Sequence, residues 1–190
     1  MQEIEIEYKN LLGQEEFDRL LTELSFPHTP QIQTNHYFET ADFTLQGLGS
    51  ALRIREKNDA FTLTLKEPHP DGLLETHDPL TQQEANQWLN GNKTAGKRVV
   101  KRLAEKGISS RDFIYFGSLT TKRREFHGNH VLYVLDESHY HGITDYELEI
   151  EATSEADGRQ AINAILVDFN IRKRKTPNKI QRFFAALPRH

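Results

Sequence analysis

Glu3-Ile4-Glu5-Ile6-Glu7-Tyr8-Lys9 carries a charged side chain at every second residue and an apolar one between. Successive strand residues point to opposite faces, so Ile4, Ile6 and Tyr8 share one face and Glu3, Glu5, Glu7 and Lys9 the other. The chain is therefore expected to open on a β-strand with one charged face. Gly13 ends that pattern, and Phe17, Leu20, Leu21 and Leu24 then recur at helical spacing until Pro27 and Pro30, which predicts a helix at about residues 14–24.

The same alternation returns repeatedly downstream. Strand patterns at 36–40, 51–57 and 61–67, the last two joined by Asn58-Asp59-Ala60, predict an antiparallel meander. A further strand is expected at 73–80. Thr81 and Glu84 then form a capping-box signature ahead of Ala85, Trp88 and Leu89, which starts a helical insertion at about 81–110. Residues 113–126, 131–136 and 144–152 read as strands, with turns at Gly128-Asn129 and Gly142. Ser154 and Asp157 cap a helix with a stripe of Ile162, Ile165, Leu166 and Phe169, and a basic tail follows that contains Ile180, Phe183 and Phe184. No fixed-period repeat and no domain boundary interrupts the 190 residues, so one domain is expected over 1–190.

Composition narrows the chemistry. With no cysteine, thiolate sites and disulfides are excluded, and any metal must be held by carboxylates, histidines or water. The 28 acidic and 24 basic residues leave a formal charge of −4, which argues against nucleic acid as a partner. No leader pattern and no run near the ~18 apolar residues of a membrane span is present, so a cytoplasmic protein without a membrane partner is expected.

What stands out is sorting by sign. Glu3, Glu5 and Glu7 share one strand face, and Glu147, Glu149 and Glu151 share another, whereas Arg53, Arg55 and Lys57 are together, Lys66 lies with Thr62 and Thr64, and Arg123 sits in Lys122-Arg123-Arg124. Solvated sheet faces and cross-strand salt bridges account for any one of these rows. Like charges about 7 Å apart repel, however, and a row of them persists at a cost unless a cation compensates it. An inward-curled sheet would turn these rows into a carboxylate wall and a cationic wall, suited to a divalent metal bound to a chain of phosphates.

Glu5-Ile6-Glu7-Tyr8-Lys9 resembles the ExExK signature of the CYTH proteins, also called triphosphate tunnel metalloenzymes. The resemblance continues in order through Tyr37-Phe38-Glu39-Thr40, Ala51-Leu52-Arg53-Ile54-Arg55, Thr62-Leu63-Thr64-Leu65-Lys66, the strand with Arg123, Val134-Leu135-Asp136, Glu147-Leu148-Glu149-Ile150-Glu151 and Asn178-Lys179-Ile180-Gln181-Arg182-Phe183. It is similar above all to the small stand-alone CYTH proteins of Gram-positive bacteria. The resemblance implies an α+β fold, an eight-stranded antiparallel β-barrel with covering helices, whose tunnel binds a triphosphate. It implies Glu5, Glu7, Asp136, Glu147 and Glu149 as metal residues for Mg²⁺ or Mn²⁺, with Glu149 and Glu151 the alternative late pair. Lys9, Arg53, Arg55, Lys66, Arg123, Lys179 and Arg182 are implied as phosphate-binding cations, with Lys175 the alternative in the last motif. Glu5, Glu7, Lys9, Arg53, Arg55, Lys66 and Arg123 form the expected catalytic set, and Glu3 a rim residue.

Many relatives carry Arg-x-Glu after the Lys66 strand, where this chain has Leu73-Leu74-Glu75-Thr76-His77. The expected activity is metal-dependent triphosphate hydrolysis, with inorganic tripolyphosphate first. Adenylate cyclase, thiamine triphosphatase and a non-catalytic triphosphate-binding module are the alternatives. The basic pairs Lys97-Arg98 and Lys101-Arg102, and the run 172–175, read as solvated faces, and His139 with His141, lacking a third ligand at recognisable spacing, as surface histidines rather than a zinc site.

Overall fold

The computed structural model describes residues 2–70 and 72–187, with side chains described from Ile6 onward. Among the described residues, eight strands and six α-helices follow one another as β1 (Gln2–Leu12), α1 (Gln14–Glu23), β2 (Gln31–Thr40), α2 (Thr44–Gly47), β3 (Ala51–Lys57), β4 (Ala60–His69), β5 (Gly72–Leu80), α3 (Gln82–Leu89), α4 (Lys97–Glu105), β6 (Phe113–Gly128), β7 (Val131–Tyr140), β8 (Ile143–Ala152), α5 (Glu155–Asp168) and α6 (Lys179–Ala185). The antiparallel strand order is β1-β5-β4-β3-β2-β6-β7-β8, that of a closed barrel. No helix among the described residues is long and apolar enough to cross a membrane.

Backbone contacts divide the described residues into two compact units, one of 2–4 with 33–70 and 72–119 and the other of 5–32 with 120–187. In the first, β2 to β5 form a meander. Arg53 pairs with Tyr37 on one side and Thr64 on the other, and Thr64 in turn with His77. Alternation puts Phe38, Leu52, Ile54, Leu63 and Leu65 on the opposite face, where they pack against Ala85 and Trp88 of α3 and Val99 and Leu103 of α4. Full burial of each such side chain contributes about 1.5–3 kcal/mol. The Trp88 indole N–H donates to the Ala95 carbonyl at 3.1 Å, tying down the Gly- and Asn-rich stretch before α4.

Thr81 caps α3 as its sequence signature implies, accepting the Glu84 N–H, while the Glu84 carboxylate accepts the Thr81 N–H. Helix α4 has no local cap. Asp78 of β5 supplies one across the fold, accepting the Val99 N–H at 2.8 Å. The short α2 lacks any periodic signal and is held by Glu39, whose buried carboxylate accepts the N–H groups of Thr40, Leu45 and Gln46.

In the second unit β1, β8, β7 and the end of β6 pair side by side. One register row reads Leu11, Glu147, Asp136, Arg123 and the next Lys9, Glu149, Val134. The other face carries Tyr133, Leu135, Leu148 and Ile150, covered by Phe17 and Leu20 of α1 and Ile162, Ile165 and Leu166 of α5. Hairpin turns fall at Asn58-Asp59, Asn129-His130 and His141-Gly142, all at positive φ, as type I′ turns require. Each is a two-residue loop, so Ala60 and Gly128, expected in turns, pair instead with Lys57 and Val131.

Gly158 lets α5 approach β1 and β8. A Cβ there would stand 2.6 Å from the Tyr8 ring and 3.1 Å from the Ala152 methyl. Gly158→Ala is expected to destabilise the fold by ~1–3 kcal/mol, because the ring must move in a packed layer. A urea titration that shows no shift of midpoint would contradict this packing.

The chain after α5 is stitched to β1. Asn10 accepts the Arg174 N–H at 2.7 Å and donates to the Arg172 carbonyl at 3.1 Å, Thr176 accepts the Leu11 N–H, and Arg174 grips Glu16 with both terminal nitrogens. Burial raises the Glu16 pKa, but the Arg174 fork and the Gly13 N–H outweigh it and hold the carboxyl below its ordinary value. A value lower in the folded than in the unfolded state stabilises above the ordinary glutamate pKa, and that contribution is lost as pH falls through the depressed one. Arg174→Gln is accordingly expected to weaken the protein at pH 7 by about 1 kcal/mol or less, since the pair is partly solvated. Urea titrations should find the variant and the parent converging in strong acid.

Candidate active site

Strand alternation aims Glu7, Lys9, Arg123, Asp136, Glu147 and Glu149 onto the face of the second unit away from α1 and α5, and α6 adds Lys179 and Arg182. Asp136 and Glu147 are fully buried. The Lys179 ammonium lies 2.6 Å from Glu149, 2.9 Å from Asp136 and 3.2 Å from Glu147. Arg123 holds Asp136 in a two-pronged contact, Nε at 2.9 Å and Nη2 at 2.7 Å, and the same Nη2 reaches Glu149 at 2.6 Å. Its Nη1 touches Glu151 at 3.5 Å. Arg182 contacts Glu147, and its Nε donates to Asp145 at 2.9 Å. Lys9 contacts Glu7 beside this group.

Burial sets the electrostatics. It pushes the Glu147 carboxyl up, to about 7, with the Glu149 charge adding to the rise and Lys179 and Arg182 opposing it. Glu149 is driven up by the same burial, but Lys179 and Arg123 overcome that and hold it well below the usual carboxylate range. Burial favours a neutral Lys179 and Arg123, yet the carboxylates around them raise both well above their ordinary values. The pair Glu147 and Glu149 thus differs in proton demand although the two residues are adjacent on one face.

In the first unit Arg53, Arg55, Lys66, Glu75 and His77 share the face away from α3 and α4. Lys66 pairs with Glu75, whose other oxygen lies 3.4 Å from His77 Nε2, and His77 Nδ1 meets Thr64 Oγ1 at 2.9 Å. His77 therefore supplies an imidazole on the face where the resemblance leads one to expect an arginine. Arg55 Nε reaches Asn35 at 3.4 Å. Arg53 forms no ion pair among the described residues, and its buried Nε has no hydrogen-bond partner.

Lys175 is exposed, whereas the Lys179 side chain is 11% exposed within the carboxylate group. Glu147 and Glu149 both face Lys179, and Glu151 stands further out, its side chain 29% exposed. The side chains of Glu3 and Glu5 lie outside those described, so their expected roles at the rim and in the metal set are not placed. Sequence reasoning overlooked Asp145, which binds Arg182 and accepts the Tyr140 hydroxyl at 2.7 Å. Its signal was the same alternation, since Asp145 precedes Glu147 by two. His139 bonds Glu137 and Thr144 while His141 packs on the Phe183 ring, so the two do not converge.

The donors on the second unit's face are hard oxygens that meet at one cationic atom, which suits a divalent ion such as Mg²⁺ or Mn²⁺ in chemistry and charge. In the present arrangement, ion pairs with Lys179 and Arg123 occupy those oxygens, and no three acidic or histidine side chains among the described residues form a group that could hold a metal.

An α+β protein with an eight-stranded antiparallel strand order and acidic and basic side chains gathered on the sheet faces away from α1 and α5 and from α3 and α4 is the class that this geometry defines. The family model of the CYTH domain matches residues 3–184, and the chain belongs to that family. It is 44% identical over 188 residues to the Bacillus subtilis protein YjbK, provisionally described as a triphosphatase, covering 96% of this chain and 95% of the other. A crystal structure of a provisionally assigned adenylate cyclase from Bacillus halodurans has a TM-score of 0.92 at 44% identity, with 96% of this chain and 98% of that one covered. HpAC1 of Hippeastrum, assigned likewise as an adenylyl cyclase and described as having a dominant triphosphatase activity, gives a TM-score of 0.77 at 25% identity, over 97% and 96% of the two chains.

Proposed function

We propose that this protein hydrolyses a triphosphate, inorganic tripolyphosphate before others, in a reaction that depends on Mg²⁺ or Mn²⁺, and that it acts as one CYTH domain over 1–190. The observation that carries the proposal is the convergence of Asp136, Glu147 and Glu149 on one buried cation position beside Arg123. YjbK and HpAC1 support hydrolysis through what is said of them.

In this reading Glu7, Asp136, Glu147 and Glu149, with Glu5, would hold the metal, which would supply charge to polarise phosphate oxygens and activate water. Arg123 orients two of the carboxylates and offers charge to phosphate oxygens. Arg53, with a donor free, is preorganised for an anion, and Arg55, Lys66 and Lys9 add positive charge. Phosphoryl transfer asks mainly for positioning and charge stabilisation, so no protein nucleophile is required.

The test is to incubate the protein with tripolyphosphate, ATP and thiamine triphosphate in each metal and measure phosphate and cyclic AMP. Phosphate from tripolyphosphate is the expected main product. Cyclic AMP as the main product from ATP would establish the cyclase that the Bacillus halodurans assignment suggests. Thermal protection by tripolyphosphate with no phosphate released would leave a binding module.

A further inference from the structure

The Lys179 ammonium has three protons to donate and three carboxylates around it, at 2.6, 2.9 and 3.2 Å. It stands where three oxygen donors meet, and its side chain, reaching in from the first residue of α6, is a flexible four-carbon stem. The backbone ahead of α6 is anchored to β1 through Asn10 and Thr176, so the side chain can leave the carboxylates without the segment detaching. A divalent cation bound by the same oxygens would lie within a few ångströms of that ammonium, and like charges at such range in a buried site repel strongly.

We propose that Lys179 is an internal counter-ion that competes with the divalent cation for Asp136, Glu147 and Glu149, and that metal entry releases its ammonium from them. The inference rests on the metal reading of this face given above. It accounts for three buried carboxylates meeting at one ammonium, and it makes metal occupancy the event that frees a further cation for phosphate.

The competition is tested without substrate, by measuring Mn²⁺ affinity of the wild type, Lys179→Met and Lys179→Arg by calorimetry. Lys179→Met is expected to bind Mn²⁺ about tenfold tighter or more, because a buried ion pair no longer has to be broken, and Lys179→Arg to stay near the wild type. Equal or weaker binding by Lys179→Met, or no binding by any of the three, overturns the proposal. Because the methionine variant leaves buried carboxylates uncompensated and its folding is at risk, a second measurement uses the wild type alone. Acylation of Lys179, followed by mass spectrometry, should speed up severalfold on adding Mn²⁺, because an amine withdrawn from its three carboxylates is open to the reagent, with exposed Lys101 as the unaffected control. An unchanged Lys179 rate overturns the proposal. Released Lys179 without phosphate release from tripolyphosphate would sink the hydrolase reading alone, and hydrolysis without these changes would sink the competition alone.

Discussion

Glu149→Gln is expected to lower metal-dependent phosphate release by about a hundredfold or more while leaving the protein folded. Glu149 lies 2.6 Å from both Lys179 and Arg123, and these two cations hold it ionised far below neutral pH, so a metal meets no competing proton there. The amide keeps the shape and deletes the charge. Asp136 still pairs with both cations, and Glu147 still pairs with Lys179, which is why the fold should survive. Initial rates at saturating Mn²⁺, alongside a urea titration, separate the two effects. A variant with undiminished turnover and unchanged Mn²⁺ affinity would remove Glu149 from the metal set.

The second large effect is on stability. Arg123→Met should cost about 3–5 kcal/mol, since it strips the two-pronged partner from a fully buried Asp136 and a contact from Glu149. For a chain of this size that corresponds to a fall in Tm on the order of 10 °C. Adding Asp136→Asn should recover a large part of the loss, because the remaining penalty in the single variant is an under-compensated carboxylate. Calorimetric melts of the two single variants and the double variant read the coupling. Additive losses would mean that Arg123 and Asp136 are not the unit that their geometry describes.

Much of the fold is legible in side-chain periodicity. The Glu3 to Lys9 alternation, the repeats around Arg53, Lys66, Asp136 and Glu147, and the caps at Thr81 and Ser154 are local signals, and local signals survive folding because they come from which way successive residues point and which groups a helix end leaves unpaired. Turn positions slipped by a residue at Ala60 and Gly128, where hairpin pairing across the strands, not composition, chose the loop. Helix α2 was invisible because its organiser is Glu39, a strand residue several positions upstream. For α4 the cap is Asp78, far back in the chain.

The site shows the same division. Periodicity alone determined that Glu7 and Lys9 share a face and that Glu147, Glu149 and Glu151 share another. It also placed Asp145 on that face, although the reading passed over it. Which members of each row act together is a question of register and of distant chain segments. The pairing of Asp136 with Glu147 and Arg123 makes the inner end of the acidic row the buried one, and the stitching of residues 172–176 to β1 delivers Lys179, not Lys175, to it. Local sequence sets the direction in which a charge points, because that depends on two backbone angles. Only tertiary structure decides which opposite charge it meets, because that depends on groups tens to more than a hundred residues away.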